Sequence, residues 1–226
     1  MLTIGVCALQ GAFVEHIQVL KRLSDNRFNV IEVRTTTELH SCHALVIPGG
    51  ESTAMRIIGE NHGFVDELKT FVRTGKPIWG TCAGCILLSD ETVQTHGGGL
   101  LPGSSAHLAE LPATPGILGG VDITTSRNYF GRQAQSFVKS LEALSSTPAA
   151  LASAFHQFPA VFIRAPAILK VGPKATAIAK VDDVVVAVVQ GTKFVTCFHP
   201  ELTQDLRIHA AFLELVTSFY LKEEQL

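Results

Sequence analysis

Along the first ninety positions, short β-branched apolar runs alternate with segments whose apolar residues recur three or four apart. Leu2–Ala8 is a strand-like run, and Ala12 to Leu23 carries Phe13, Ile17, Leu20 and Leu23 at helical spacing. Asn29–Arg34 and Ala44–Ile47 read as strands, the second stopped by Pro48-Gly49-Gly50. A helix is predicted across Thr53–Thr74, interrupted near Gly59 to Gly63. Pro77–Gly80 then reads as a buried strand and Ala83–Leu88 as another helix. Such βαβ alternation predicts a mostly parallel sheet covered by helices on both faces.

The second half has a different pattern. Thr95–Gly116 is rich in Gly, Pro and Ser and too long for an ordinary connection. Val121–Ile123, Val161–Ile163, Ala177–Val181, Val184–Gln190 and Phe194–Phe198 read as strands. Asp182-Asp183 and Gly191-Thr192 mark turns between the last three, which predicts an antiparallel meander added to the parallel sheet. Ser140–Gln157 reads equally as helix or loop. A last helix, from about Thr203 to Lys222, is predicted to bury Leu206, Ala210, Leu213, Val216 and Phe219 or Tyr220. With no internal repeat and no linker, residues 1–226 are expected to form one domain.

Composition narrows the function classes. The 226 residues are 46% hydrophobic and 17% charged, which predicts a packed globular protein rather than a disordered chain. A formal net charge of −2, with no basic cluster, gives no reason to expect nucleic acid or an anionic membrane as partner. Met1–Val6 has no basic run before its apolar residues, and no apolar stretch reaches the roughly 18–20 residues of a membrane span. The expectation is a soluble, cytoplasmic protein. Five cysteines at irregular spacing (Cys7, Cys42, Cys82, Cys85 and Cys197) predict reduced thiols rather than a disulfide framework.

One of those cysteines carries a catalytic signature. Gly80-Thr81-Cys82-Ala83-Gly84 has the form G-x-C-x-G between a buried strand and a helix, the cysteine counterpart of the G-x-S-x-G nucleophile elbow. The turn is sharp, so a Cβ at either glycine would crowd it. A helix N-terminus behind the sulfur favours thiolate, the attacking species. Taken alone, Cys82 reads also as a buried structural cysteine. Cys82-Ala83-Gly84-Cys85 is equally a C-x-x-C, so a dithiol oxidoreductase is a competing reading. Zinc held by Cys82, Cys85, Cys197 and His199 is weaker, because no second ligand pair stands at finger-like spacing.

A base lies near the other end of the chain. Val195–Glu201 ends an apolar strand with His199 and Glu201 two residues apart, on one side if the backbone stays extended. A carboxylate there orients the imidazole for proton exchange with a thiol. Of nine histidines, His16, His40, His43, His62, His96, His107, His156 and His209 show no comparable local partner. Ile47–Ser52 offers a glycine pair between strand and helix, suited to an oxyanion hole with Gly50 N–H and Ala83 N–H as donors. The bland alternative is a plain turn capped by Ser52 or Thr53. Arg127 and Arg164 sit in charge-poor surroundings and are shaped to hold an α-carboxylate, unless they are simply surface arginines.

These segments occur in a recognisable order. Leu9-Gln10-Gly11, Pro48–Thr53, Gly80–Gly84, Arg127-Asn128, Phe130-Gly131-Arg132-Gln133, Phe162–Pro166 and Phe198–Leu202 together resemble the glutaminase subunits of two-component pyridoxal 5′-phosphate synthases. Those subunits are class I glutamine amidotransferases, and the resemblance covers almost the full length. It implies a three-layer, flavodoxin-like α/β fold with a central, mostly parallel sheet and an antiparallel extension. It also implies hydrolysis of L-glutamine to L-glutamate and ammonia through Cys82, His199 and Glu201, with no metal or organic cofactor. Gly50, Glu51, Ser52, Arg127, Ile163 and Arg164 match glutamine-binding positions. Gln10 matches a residue that helps form the oxyanion hole when a synthase (lyase) subunit docks in a hetero-oligomer. The segments 95–116 and 140–157 are longer than the compact bacterial pattern, and Cys85 replaces a common aliphatic residue. Other readings are an amidotransferase serving another acceptor and a non-catalytic glutamine-binding regulatory subunit.

Overall fold

The computed structural model describes residues 1–60, 63–94, 112–127, 129–130 and 136–223. In its first half, strands β1 (Leu2–Cys7), β2 (Phe28–Val33), β3 (Ala44–Ile47) and β4 (Ile78–Thr81) alternate with five helices. These are α1 (Phe13–Leu23), α2 (Thr36–His40), α3 (Ser52–Glu60), α4 (Phe64–Arg73) and α5 (Ala83–Leu88). Every residue of β3 and β4 is buried, which is why both read as continuous apolar runs rather than alternating ones.

The second half contributes β5 (Ser89–Gln94), β6 (Ala113–Pro115), β7 (Val121–Arg127), β8 (Phe137–Ser140) and β9 (Glu142–Ala143). After α6 (Ala149–Phe155) come β10 (Pro159–Phe162), β11 (Ala167–Val171), β12 (Thr176–Val181), β13 (Val184–Gln190) and β14 (Lys193–Thr196), and then α7 (Arg207–Glu223). The main sheet runs β2-β1-β3-β4-β14-β13-β11-β7-β5-β6, while β8 and β10 pair separately. The β12-β13-β14 meander is antiparallel as expected, but it is not a mere appendage. Its last strand lies parallel to β4 on one side and antiparallel to β13 on the other. That seam sets the carboxyl end of β14 beside the carboxyl end of β4, where ligands of open α/β sheets bind.

Several expectations need correction. The interruption expected near Gly59 to Gly63 is there, and it makes two helices of Thr53–Thr74: α3 ends at Glu60 and α4 follows left-handed Gly63. The sequence reading passes over α2, which a capping box fixes: Thr35 accepts from Glu38 N–H, and the Glu38 carboxylate returns to Thr35 N–H. It passes over β5, β8 and β11 as well. Within Thr95–Gly116 the described residues form β6, paired with β5; the remainder, 95–111, lies outside the described residues. Ser140–Gln157 is neither helix nor loop alone but holds β9 and α6. The last helix starts at Arg207 rather than Thr203, because the Asp205 carboxylate accepts from Arg207 N–H while Thr203 Oγ1 accepts from Asp205 N–H. Leu213 and Val216 are buried as expected, but Leu206, Ala210, Phe219 and Tyr220 are only half-buried, and Ile208, His209, Ala211 and Phe212 join the core-facing stripe instead. Among the described residues, no helix is long and apolar enough to cross a membrane.

Sheet and helix meet most tightly around the β4–α5 turn. A Cβ on Gly84 would penetrate the carbonyl of Ile47 at the end of β3, and one on Gly80 would lie 2.5 Å from the Gly84 carbonyl. Gly84→Ala is therefore expected to cost about 1–3 kcal/mol through overpacking against backbone that cannot yield. In a chain of this size that lowers the melting temperature by roughly 5–10 °C. Calorimetry showing an unchanged transition would refute the close approach of β3 and α5.

Candidate active site

Cys82 stands between β4 and α5 with φ 47° and ψ −102°, one of four described non-glycine residues at positive φ. Its N–H donates to the Thr196 carbonyl at 2.8 Å, so β14 holds the turn in place. This bond crosses the same seam that carries the base. His199 follows β14 by three residues, and its N–H donates to Val161 O of β10 at 2.8 Å. The structure thus brings Cys82 and His199 together from positions 117 residues apart.

Glu201 also reaches His199, although not by strand alternation. β14 ends at Thr196, and Pro200–Leu202 form a 3-10 turn that folds the carboxylate back on the ring. Nδ1 of His199 lies 2.7 Å from Glu201 Oε1, with His199 8% and Glu201 6% exposed. The carboxylate accepts from Nδ1–H, which leaves Nε2 for exchange with the thiol.

Burial alone would depress the His199 pKa. Hydrogen bonding and charge from Cys82 and Glu201 outweigh it and raise the pKa to about 11. Burial would raise the Glu201 pKa, yet the charges and hydrogen bonds of His16 and His199 hold it well below the usual carboxylate range. Neutral pH therefore finds an ionised carboxylate against a protonated imidazole. A cation beside the sulfur is the setting in which cysteine nucleophiles act.

A cleft of ≈ 380 Å³ opens over this group, and all the residues proposed to bind glutamine line it. Gly50, Glu51 and Ser52 form one wall, where the chain leaves β3 and enters α3. Glu51 accepts from Thr53 N–H and Ala54 N–H at 3.1 and 2.7 Å, so it caps α3 itself and displaces the predicted Ser52 or Thr53 cap. The capping bonds and Arg127 hold its carboxylate low against the opposing effect of burial. Arg127, at the end of β7, donates to Ser52 Oγ and Thr53 Oγ1 at 2.8 and 3.1 Å and lies 3.5 Å from Glu51 Oε1. Ile163 and exposed Arg164, the latter at φ 48°, follow β10 on the facing side. Asn128 and Gly131–Gln133 lie outside the described residues.

The Gly49-Gly50 loop is tied to the segment before α1. Ala12 N–H donates to Gly49 O at 3.0 Å, and Gly11, at φ 98°, leaves no room for a Cβ against that carbonyl. Gln10 Oε1 accepts from Glu51 N–H at 2.7 Å and lies over Gly50. Ala83 N–H stands at the first position of α5, next to the sulfur.

Some residues of this region escape the sequence reading. Ile86 lines the cleft one helical turn beyond Cys82, a spacing that was available to find it. His16 and His209, both fully buried, sit behind Glu201. Their signal is a histidine on the apolar face of a helix, His16 three residues after Phe13 and four before Leu20. Cys85 is fully buried and meets Cys197, and all five cysteines are free thiols. Among the described residues no cluster of three His, Cys, Asp or Glu side chains could hold a metal ion.

Both shifts carry into stability. A histidine raised to about 11 contributes stabilisation that is complete below 6.5 and is lost as pH rises toward 11. A carboxylate held low contributes stabilisation present above its ordinary 4.5 and lost as pH falls through its folded value. Thermal melting should weaken from about pH 6.5 up to about pH 11, and in Cys82→Ala this weakening should start at the same pH but end at a lower one and be smaller in total. Superimposable pH–stability curves for the two proteins would remove Cys82 as a partner of His199.

A family model described as the SNO glutamine amidotransferase family matches residues 6–218. Pyridoxal 5′-phosphate synthase subunit PdxT of Deinococcus radiodurans is 44% identical over 214 residues, covering 95% of this chain and 97% of that one. The protein of the same name from Methanocella arvoryzae is 40% identical over 217 residues, covering 94% and 96%. A crystal structure of a glutamine amidotransferase superposes with a TM-score of 0.74 at 37% identity, covering 95% of this chain and 98% of that one. PurLQS from Thermotoga maritima, at 15% identity, TM-score 0.61 and coverage of 94% and 98%, shares the fold. The chain belongs to the SNO glutamine amidotransferase family.

Proposed function

We propose that this chain, as one glutaminase domain over residues 1–226, hydrolyses L-glutamine to L-glutamate and ammonia with Cys82, His199 and Glu201. The ammonia passes to a pyridoxal 5′-phosphate synthase subunit. The observation that carries the chemistry is a cysteine at a strained elbow beside a histidine whose far nitrogen is held 2.7 Å from a buried carboxylate. The relatives named as pyridoxal 5′-phosphate synthase subunits, aligned over nearly their whole length, support the acceptor.

In the reaction, the Cys82 thiolate attacks the carboxamide carbon, and negative charge moves onto the carbonyl oxygen. Gly50 N–H and Ala83 N–H are the donors assigned to that oxygen. His199 gives its proton to the amide nitrogen, the C–N bond breaks and ammonia leaves. A γ-glutamyl thioester stays on Cys82. Water then attacks the thioester carbon while His199 takes its proton, and cleavage of the C–S bond releases glutamate and the thiolate. Arg127 and Arg164 hold the α-carboxylate, while Glu51, Ser52 and Ile163 shape the pocket around the amino acid. Gln10 assists the oxyanion hole, and its bond to Glu51 N–H is the contact that docking of the synthase subunit would rearrange. The free thiols support a reducing, cytoplasmic setting.

Cys82→Ala should lower glutamate release at least ~10³-fold, with the melting temperature retained. In the unaltered protein the rate should rise when the synthase subunit is added. Undiminished turnover by Cys82→Ala would overturn the assignment of the nucleophile, and a rate indifferent to the synthase subunit would overturn the assignment of the partner.

A further inference from the structure

The triad carboxylate does not end in bulk protein. Glu201 Oε1 serves His199, while Oε2 lies 3.3 Å from His16 Nε2. The same His16 nitrogen is 3.2 Å from Oγ1 of Thr81, the residue immediately before the nucleophile. On its other side, His16 Nδ1 lies 3.0 Å from His209 Nε2. Both imidazoles are fully buried and pack edge-on against Trp79 of β4, at centroid distances of 5.4 and 4.9 Å. Helices α1 and α7 thus each send one histidine under the triad.

Buried hydrogen bonding determines where the protons sit. Burial above all drives the His209 pKa well below the usual imidazole range, so its ring is neutral with one donor and one acceptor nitrogen. His209 Nδ1 is buried and has no hydrogen-bond partner. If His16 Nδ1–H donated to His209 Nε2, the proton of His209 would lie on Nδ1, as a buried N–H with no acceptor. Orphaned buried N–H groups are rarer than under-used acceptors. If His16 Nε2 were unprotonated, its lone pair would face that of Glu201 Oε2. One arrangement avoids both penalties. His209 donates Nε2–H to His16 Nδ1, and His16 donates Nε2–H toward Glu201 Oε2 and Thr81 Oγ1.

We propose that His16 and His209 are positioning residues of the triad, His209 fixing the tautomer of His16 and His16 clamping Glu201 to the residue that precedes the nucleophile. His199 holds Oε1 by a hydrogen bond, while His16 Nε2 stands against Oε2 at 3.3 Å without hydrogen-bond geometry, so the two rings together resist rotation of the carboxylate plane and of the Nδ1–H line of His199. Neither histidine touches substrate. Outer partners of this kind commonly govern ~10–100-fold in activity.

The proposal rests on the glutaminase reading, and its test separates the two. In protein carrying ¹⁵N-labelled histidine, NMR should find His209 protonated at Nε2 only and His16 protonated at Nε2. Either ring with Nε2 unprotonated overturns the proposal, and this measurement needs no variant. In glutamine hydrolysis with the synthase subunit, His16→Leu should lower kcat ~10–100-fold and leave KM within about twofold. His16→Gln keeps an N–H near the position of Nε2 and should recover most of the loss. If His16→Leu keeps the kcat of the unaltered protein, or a folded His16→Gln is no better than His16→Leu, the positioning role is refuted. If neither variant folds, the tautomers in the unaltered protein decide. Turnover that survives Cys82→Ala would refute the glutaminase reading and leave the tautomers as measured.

Discussion

Between β4 and α5 the backbone reverses through Cys82 at φ 47° and ψ −102°, a conformation that costs an L-residue about 1–3 kcal/mol. What over-determines it is the close packing of two strands and a helix. α5 sits so near β3 that Gly84 faces the Ile47 carbonyl without space for a methyl group, and β14 grips Cys82 N–H from the opposite side. Loosening either contact would let the cysteine relax into an ordinary turn and swing its sulfur away from His199. The insertion of β14 between β4 and β13 is thus a condition of the site as much as a feature of topology, because the same strand supports Cys82 and delivers His199.

Charge is the second constraint. An ion taken out of water costs several kcal/mol unless it is paired and hydrogen-bonded. Glu201 meets that requirement through the His199 hydrogen bond on Oε1, and on Oε2 it has the nearby His16 ring at 3.3 Å without hydrogen-bond geometry. Its charge in turn helps keep His199 protonated, together with the sulfur. In the proposed reaction, this gives the cycle a direction. While sulfur is anionic, His199 is a proton donor, as departure of ammonia requires. Once the sulfur is acylated, one of the two influences raising the imidazole pKa is gone, and His199 becomes the better base for activating water.

The cleft follows the same economy of parts. Glu51 caps α3 and Arg127 braces Ser52 and Thr53, so its wall is organised by the polar groups that face into it. The loop carrying Gln10 is bonded to this wall through Ala12 and Glu51. A partner pressing on the start of α1 would be felt at Gly50 with no intermediary beyond that loop.

Much of this architecture was legible from residues alone. Apolar runs and helical spacing marked β3, α5 and β13 to the residue, and Gly80–Gly84, Gly49-Gly50 and His199-Pro200-Glu201 marked the candidate site, because turn geometry and side-chain direction are local properties. The means by which Glu201 reaches His199 was not legible, since a 3-10 turn and an extended strand serve the same two residues equally well. The capping box of α2, by contrast, is a local signal carried by Thr35 and Glu38. Only the tertiary structure decided that β14 enters the parallel sheet, and that His16 meets His209 across 193 positions of chain. Strand order and the partners of buried polar groups depend on which distant surfaces exclude water together. No window of neighbouring residues contains that information.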